Sequence, residues 1–223
     1  MYQAYQAHSD MMWPLRAIAR AFMPAFADPR FSLSAHDSSR KIAAALDVFA
    51  AAEVTHKRRP FGITSVMVDG TEAAVTEEAA HTTPFATLLH FKKDRGTGQP
   101  KVLVVAPMSG HFATLLRETV RTMLADHDVY ITDWHNARDV PLWAGRFGLD
   151  EYTEHLMDFM AVLGAGSHLV SICQPCVSAL SAVALMSEDN HPATPASLTL
   201  MAGPIDCRIN PTAVNDLAVT KPI

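Results

Sequence analysis

Four short, largely apolar runs in the second half of the chain constrain its fold more than any other feature of the sequence. Between them lie longer segments in which apolar residues recur with the spacing of a buried helical face. Strands that are apolar throughout are buried on both faces, and such strands alternating with helices form a parallel sheet. The pattern therefore predicts parallel strands joined by right-handed crossovers, at Lys101 to Ala106, Asp128 to Thr132, His168 to Ile172 and Ser197 to Met201.

The intervening segments are predicted to be helices that cover both faces of this sheet. They lie at about Phe112 to Ala125, Leu149 to Leu163 and Val177 to Met186. The second begins with Asp150 and Glu151, and carboxylates in a first turn favour the helix dipole. Its apolar stripe is predicted to be buried and consists of Leu149, Tyr152, Leu156, Phe159, Met160 and Leu163.

The chain ahead of the Gly96 to Pro100 breaker has a different pattern. Two short β-type runs, Gly62 to Val68 and Thr87 to Phe91, predict an antiparallel lead-in to the sheet. The Asp69-Gly70 pair is a turn signal that closes the first of them.

Helical spacing dominates the first part of the chain. Residues 10 to 25 carry an apolar face rich in Met and aromatic residues, and a second helix is predicted from Ser39 to Ala52. The apolar face is expected to pack in a core or interface, or else to bind lipid or polymer. We predict an N-terminal helical segment over residues 1–60 and an α/β domain over residues 61–223.

Charge and the N-terminal sequence exclude several classes of protein. The formal net charge is -5 and no long basic run occurs, so neither nucleic acid nor an anionic membrane surface is an expected partner. The first residues lack a secretory signal, and no apolar run reaches membrane-spanning length, which predicts a cytoplasmic protein without a membrane span. The three cysteines are too few and too clustered for a disulfide framework, so free thiols are expected.

A cysteine pair follows the third predicted parallel strand, at the sheet edge where open α/β folds collect functional residues. The chain there reads CQPCV over residues 173–177. A nucleophile elbow requires a reactive side chain on a tight strand-to-helix turn, where its sulfur or oxygen stands exposed above the sheet. We predict that Cys176 occupies this position, since the N–H groups of the following helix would favour a thiolate and hold an oxyanion. Gln174 and Ser178 stand where the usual motif has glycine.

Other interpretations of the same residues remain open. Cys176 could be a buried thiol at the start of a helix, because free cysteine is among the most buried residue types. Cys173 and Cys176 also form a C-x-x-C pair at a strand-to-helix turn, which is typical of thiol-redox proteins. A zinc site would need two more ligands at suitable spacing, and only Cys207 and His191 are nearby. We predict neither a metal ion nor a cofactor.

The loop after the first predicted parallel strand is a candidate for the second half of an oxyanion hole. In α/β-hydrolases the first donor is the backbone N–H of the residue after the nucleophile, here Val177, and the second comes from this loop. Met108 or Ser109 would supply it. Gly110 would let the backbone approach a substrate closely, and His111 is predicted to border the substrate. Ser109 could instead cap the following helix.

Four segments together resemble the intracellular polyhydroxybutyrate depolymerases of bacteria. The opening of the chain, Met1 to Arg16, is similar as well, so the resemblance covers essentially the whole chain in order. It implies an α/β-hydrolase-like fold with a mainly parallel sheet and helices on both faces. The four segments are PMSGHFATLL at Pro107 to Leu116, TDWHN at Thr132 to Asn136, SICQPCV at Ser171 to Val177 and MAGPID at Met201 to Asp206.

The resemblance implies that Cys176 is the nucleophile of an intracellular polyhydroxyalkanoate depolymerase. The implied substrate is amorphous polyester, as polymer or oligomer, in cytoplasmic granules whose surface the protein would contact. The implied reaction is hydrolysis of the 3-hydroxyalkanoate ester bond through an acyl-thioester, which suits a thiolate beside an oxyanion hole. The alternatives are an inactive fragment that binds granules or a partner through its apolar N-terminal helix, and a thiol-redox protein.

The acid and base of a catalytic triad are not evident after Cys176. In this fold the acid and then the histidine follow the nucleophile, and the sole histidine that does so is His191. It precedes a strand in a polar stretch, so we do not expect it to be the base. Asp206 is a candidate acid in a variant arrangement, and Asp133 is given no catalytic role. Because the chain stops at Ile223, we expect a truncated sheet, incomplete at the C-terminus, without its histidine base.

Overall fold

The computed structural model describes residues 2–27, 37–52, 58–95, 98–108, 112–137 and 139–220. The chain divides into two units, Met1–Lys57 and Arg58–Ile223. The first is called the helical unit below and the second the α/β unit.

The helical unit consists of two helices, α1 (Tyr2–Ala27) and α2 (Asp37–Ala51). Arg20 joins them, because its guanidinium donates to the carbonyl of Ala50 at 2.9 Å. Both helices were predicted, and α1 extends further in each direction than its apolar face. The helices within the described residues do not combine the length and hydropathy needed to cross a membrane. Much of the apolar face of α1 is exposed, including Met11, Leu15, Ile18 and Phe22.

Seven strands, β1 to β7, form one mixed sheet in the α/β unit. In chain order they are Ser65–Val68, Thr71–Thr82, Ala86–Lys93, Lys101–Val105, Asp128–Trp134, His168–Ile172 and Ser197–Met201. Their order across the sheet is β1-β2-β3-β5-β4-β6-β7. The first three pair antiparallel with one another and with β5, whereas β5, β4, β6 and β7 are parallel.

The predicted parallel strands are confirmed, and their register brings their carboxyl ends together. Val105 at the end of β4 is opposite Ser171 in β6, and Ile172 at the end of β6 is opposite Met201 at the end of β7. The segments that follow β4, β6 and β7 therefore leave the sheet side by side. This is the edge at which parallel α/β sheets place their functional residues.

Strand β2 is the main element that the sequence pattern did not predict. Its sequence, TEAAVTEEAAHT, has no apolar alternation, and only Ala73 and Val75 in it are buried. The strand pairs with β1 on one side and β3 on the other. Its conformation is therefore set by backbone pairing with neighbours rather than by its own side-chain pattern.

Helices cover both faces of the sheet, as predicted. On one face, a 3-10 turn (Ala113–Leu116) leads into α3 (Arg117–Met123), so the segment predicted as one helix is divided in two. On the other face, α4 (Leu149–Leu163) and α5 (Cys176–Glu188) pack against the strands through their apolar residues. A last helix, α6 (Ala213–Thr220), follows β7. The result is an α/β-hydrolase-like fold.

Helix α4 buries the predicted stripe except at its first residue. Tyr152, Leu156, Phe159, Met160 and Leu163 are all buried. Leu149 is 59% exposed, because it lies in the first turn, beyond the layer that packs on the sheet. The same turn is held by Glu151, whose carboxylate accepts a hydrogen bond from the Gly148 N–H at 2.7 Å.

A histidine between two carboxylates ties β3 to its neighbours. His90 Nδ1 lies 3.0 Å from Glu78 Oε1 in β2, and His90 Nε2 lies 2.7 Å from Asp128 Oδ1 in β5. Carboxylates only accept hydrogen bonds, so both ring nitrogens are donors and the ring is an imidazolium. Burial alone would lower the pKa of His90, but the bonds to Asp128 and Glu78 outweigh it and the pKa is raised. Tyr130 stacks on the ring at 4.2 Å.

The His90 cluster predicts a pH dependence of stability. Because the folded-state pKa of His90 lies above its unfolded value, the stabilisation is complete below about pH 6.5 and is lost as the pH rises through the folded pKa. We expect His90→Gln to lower the free energy of unfolding by about 1 kcal/mol at pH 6 and by less at pH 8.5. Urea unfolding at both pH values measures it. His168→Gln is the control, since His168 contacts the Ser197 hydroxyl instead of a carboxylate; equal losses in both variants would contradict the assignment.

Candidate active site at the end of strand β6

Cys173 occupies the tight turn between β6 and α5. It follows Ile172, the last residue of β6, directly, and α5 begins only three residues later, at Cys176. Its backbone φ is +68°, in the left-handed region that a β-carbon disfavours, and its side chain is exposed. A residue in this conformation, directly after a parallel strand, has the geometry of a nucleophile elbow.

Two backbone hydrogen bonds hold this turn. The N–H of Cys173 donates to the carbonyl of Met201 in β7 at 2.8 Å, and the N–H of Cys176 donates to the carbonyl of Cys173 at 3.2 Å. The strained residue is thus fixed by the neighbouring strand on one side and by the first turn of α5 on the other. Strained backbone of this kind persists only where surrounding contacts determine it.

The structure corrects the exposed position that the sequence suggested for Cys176. This residue is the first of α5 and is completely buried, at 0% exposure. Its Sγ donates to the carbonyl of Ser171 at 3.3 Å and lies 3.7 Å from that of Met201. The side chain therefore turns inward, between the ends of β6 and β7, and the exposed elbow position belongs to Cys173.

Cys176 packs directly against Gly203 in the loop after β7, because glycine has no side chain. A β-carbon on Gly203 would lie 2.5 Å from Cys176 Sγ and closer still to Cys176 Cβ. It would also lie 3.2 Å from the carbonyl oxygen of Cys173. The loop after β7 therefore packs so closely against the start of α5 that the α-carbon of residue 203 can carry hydrogen atoms but no side chain.

A cavity of about 300 Å³ opens beside the elbow. Met108, from the segment after β4, and Gln174, from the elbow itself, both line it, so the two loops that would form an oxyanion hole meet at one cavity. Neither Cys173 nor Cys176 is among its lining residues. The remaining walls are mainly apolar and consist of Phe147, Gly148, Leu149, Tyr152, Pro175 and Ser178.

The elbow at Cys173 changes the expected oxyanion donors. The residue after this cysteine is Gln174, whose backbone N–H has no acceptor within the described part of the chain. With Cys173 as nucleophile, Gln174 would take the place predicted for Val177, which lies in the first turn of α5 and is not among the described cavity residues. Met108 lines the cavity, and its role as an oxyanion donor stays a prediction. The other predicted residues of that loop lie outside the described residues, namely Ser109, Gly110 and His111.

Asp133 and His135 at the end of β5 have structural partners. Asp133 forms an ion pair with Arg58, and burial raises the pKa of its carboxyl although Arg58 opposes the shift. His135 uses both ring nitrogens, with Nε2 at 2.8 Å from the hydroxyl of Thr87 and Nδ1 at 3.0 Å from the carbonyl of Pro84. That Asp133 has no catalytic role stays a prediction.

Asp206 is also engaged elsewhere. Both of its carboxylate oxygens lie 2.8 Å from the Arg208 guanidinium, and these hydrogen bonds lower the pKa of Asp206. His191 accepts a hydrogen bond from the Ala193 N–H at 3.2 Å. Over the residues that the structure describes, no imidazole hydrogen-bonds Cys173 or Cys176. Asp206 as the acid stays a prediction.

An aromatic cluster forms the floor of the cavity. Tyr152 stacks on Trp134 with ring centroids 4.4 Å apart, and Phe147 meets both rings edge-on. The Trp134 Nε1 donates to the carbonyl of Ala106 at 3.0 Å, which fixes the stack beneath the end of β4. Burial raises the pKa of Tyr152, so its hydroxyl stays protonated at neutral pH. Rigid aromatic walls of this kind are suited to an apolar group of a substrate.

The sequence contained the signal that separates the two cysteines. The predicted strand ends at Ile172, and a nucleophile elbow is the residue that directly follows its strand. On that rule Ser171 and Pro175 take the two glycine positions of the motif, and Cys173 takes the centre. The cavity residues Phe147 and Tyr152 carried no such signal, because a loop aromatic and a helical tyrosine are ordinary core residues in a sequence.

Comparison with known proteins leaves the family undetermined. No protein-family model matches the sequence, and no curated protein is significantly similar to it.

Several solved structures are similar to the chain over part of its length. A protein assigned as a lipase in Acinetobacter baumannii is 14% identical, with a TM-score of 0.46 over 65% of this chain and 47% of the other. A 2-hydroxy-6-oxo-6-phenylhexa-2,4-dienoate hydrolase from a Rhodococcus species is 14% identical, with a TM-score of 0.42 over 59% and 47%. A protein assigned as an esterase in Staphylococcus aureus is 13% identical, with a TM-score of 0.42 over 82% and 59%. The chain spans less than two thirds of each, so its activity and substrate are matters of proposal.

Proposed function

We propose that the chain belongs to a cysteine-dependent ester hydrolase of the polyhydroxyalkanoate depolymerase type, with Cys173 as its nucleophile. The observation that carries the proposal is an exposed cysteine in a left-handed conformation, directly between a parallel strand and a helix. Proteins retain strained backbone mainly where it serves a function. A substrate cannot reach Cys176 in the same way, because the thiol of Cys176 is buried.

The chemistry follows from the position of Cys173. Its thiolate attacks the ester carbonyl, and a C–S bond forms as the carbonyl oxygen becomes an oxyanion. The free N–H of Gln174 and a donor on the loop that includes Met108 stabilise that charge. The C–O bond to the alcohol then breaks, and the alcohol leaves with a proton. Water attacks the acyl-thioester, which releases the acid and restores the thiol.

Two observations support a polyester as the substrate class. The segments around Met108 and Cys173 are among those that resemble the polyhydroxybutyrate depolymerases, and both border the cavity. The cavity itself is lined mainly by apolar and aromatic side chains, and its described lining residues include no Asp, Glu, Lys or Arg. A neutral, aliphatic ester fits such a site better than a charged one.

Hydrolysis of amorphous polyester tests the proposal. A protein that carries this site together with a histidine base is expected to release soluble hydroxyacid from amorphous poly(3-hydroxybutyrate) granules, and to release less from crystalline polymer or from a triglyceride emulsion. The chain itself is expected to form the acyl-thioester on Cys173. Hydroxyacid in the supernatant is measured by chromatography, and the heat-denatured protein is the control for spontaneous hydrolysis. Release from triglyceride but not from polyester would replace the substrate class, and the absence of both the acyl-thioester and the release would contradict the proposal.

A granule- or partner-binding role is the second candidate. The observation in its favour is the exposed apolar face of α1, with Met11 73% and Phe22 59% exposed. Sedimentation of the chain with granules separates this role from hydrolysis, because binding without release of acid is its distinguishing outcome. The thiol-redox alternative stays a prediction, and it requires Cys176 Sγ to leave the carbonyls of Ser171 and Met201.

A further inference from the structure

One hydroxyl in the cavity wall has no hydrogen-bond partner among the described residues. Ser178 is in the first turns of α5, lines the cavity beside the elbow and is only 6% exposed. Its hydroxyl makes no hydrogen bond with any residue of the described ranges, and its oxygen is not among the fully buried atoms that lack a partner. The oxygen is therefore open to the cavity, where it can donate a hydrogen bond to a ligand or accept one from it.

Other hydroxyls of the helices around Ser178 behave differently. Ser181 donates to the carbonyl of Val177 at 3.0 Å, and Ser187 donates to that of Val183 at 2.7 Å, both in α5. In α4, Thr153 donates to the carbonyl of Leu149 at 2.9 Å. Back-bonding to the preceding turn is the usual way in which a helical hydroxyl is satisfied. Ser178 is the third residue of α5, so no complete helical turn precedes it, and its oxygen is left available to the cavity.

The other described side chains that line the cavity are mainly apolar, with Gln174 as the polar exception. Met108, Phe147, Leu149 and Pro175 offer carbon or sulfur surfaces to the same cavity. Pockets of this kind fix a ligand by a few polar groups placed among apolar walls. The hydroxyl is thus placed to contact a polar atom on a ligand that is otherwise aliphatic.

We propose that Ser178 is a specificity-determining residue that recognises an oxygen atom within the acyl group of the substrate. The proposal rests on the proposed ester hydrolysis and refines its substrate class. The acyl group would be a short aliphatic chain with an oxygen near its third carbon, as a hydroxyl or as the next ester of a polyester. Ser178 donates to that oxygen, and it accepts from the substrate when the oxygen is a hydroxyl.

A ratio of two substrates tests this role. The p-nitrophenyl esters of 3-hydroxybutyrate and of butyrate differ by one oxygen, and each acylates a nucleophilic cysteine with release of nitrophenolate. We expect Ser178→Ala to lower the rate for the hydroxylated ester relative to the plain ester by about three- to tenfold, the value of one hydrogen bond. A loss of packing would lower both rates together. Ser181→Ala is the matched control on the same helix and should leave the ratio unchanged.

A binding measurement makes the test independent of turnover. The affinity of the Cys173→Ala chain for methyl 3-hydroxybutyrate and methyl butyrate is measured by calorimetry, with and without Ser178→Ala. We expect the preference for the hydroxylated ester to disappear with the serine. If the preference for the hydroxylated ester survives Ser178→Ala in both assays, the proposed role of Ser178 is overturned. If neither ester acylates Cys173, the proposed hydrolysis is overturned, and the binding measurement still tests Ser178.

Discussion

Cys173→Ala is expected to abolish acylation of the chain by an activated ester, a loss of at least about a hundredfold, whereas Cys176→Ala keeps most of the reactivity. The two variants are expected to differ because the ester can reach the thiol of Cys173 but not that of Cys176. Cys173 is exposed on the turn, while Cys176 is fully buried and directs its thiol to the carbonyl of Ser171. A buried thiol reacts only when the structure opens locally, and such openings are rare in a packed region.

The site of acylation is measured by fragmenting the modified chain in a mass spectrometer. Treatment with p-nitrophenyl butyrate should add one butyryl group, and it should lie on Cys173. Cys207→Ser is the matched control, because Cys207 is also exposed but lies outside the elbow. Acylation of Cys176 in the folded chain would return the nucleophile to that residue, and equal labelling of Cys207 would show that exposure alone determines the reaction.

Gly203→Ala should destabilise the α/β unit by about 2–4 kcal/mol. The added methyl group would overlap the first residue of α5, at 2.5 Å from Cys176 Sγ. A β-carbon is fixed by the backbone, so no rotamer change removes the overlap, and either the loop after β7 or the start of α5 has to move. Chemical unfolding followed by tryptophan fluorescence measures the loss, and ester acylation should fall with it because Cys173 is on the same turn.

A second substitution identifies the cause. Cys176→Gly removes the β-carbon and the sulfur that the new methyl group would strike, so the double variant should lose less stability than the sum of the two single variants. Gly62→Ala is the comparison for backbone strain, since Gly62 has a φ of +59° with open space around it. Its cost should be only about 1 kcal/mol. Strictly additive losses in the double variant would mean that Gly203 acts through something other than contact with Cys176.

The parallel half of the sheet could be predicted from the sequence because burial dictates its composition. Strands β6 and β7 and helix α4 begin and end where their apolar patterns do. Strand β2 could not be predicted in this way, because its polar and alanine-rich sequence gains its strand conformation from two neighbours. Pairing between strands depends on residues far apart in the sequence, and a local pattern does not record it.

The exposed thiol lies three residues before the cysteine at which the sequence pattern predicted it. Both cysteines follow the same strand, so the general location at the end of β6 was fixed by topology. Which cysteine is exposed depends on where helix α5 begins. The helix begins at Cys176, and the side chain of this residue is buried against the Met201 carbonyl and Gly203. These contacts come from the next strand along, so the CQPC segment does not record the burial of Cys176, and the predicted end of the strand at Ile172 is the sequence signal that points to Cys173.

The hydrogen bond to the Met201 carbonyl determines when, during synthesis of the chain, Cys173 can be held in its final backbone conformation. It accepts the N–H of Cys173 and lies 3.7 Å from the thiol of Cys176, a residue 25 positions earlier in the chain. A nascent chain that has left the ribosome only as far as α5 lacks this partner, and nothing yet holds Cys173 in its left-handed backbone. The left-handed conformation of Cys173, on which its proposed role as a nucleophile depends, is therefore expected to form only after β7 has paired with β6.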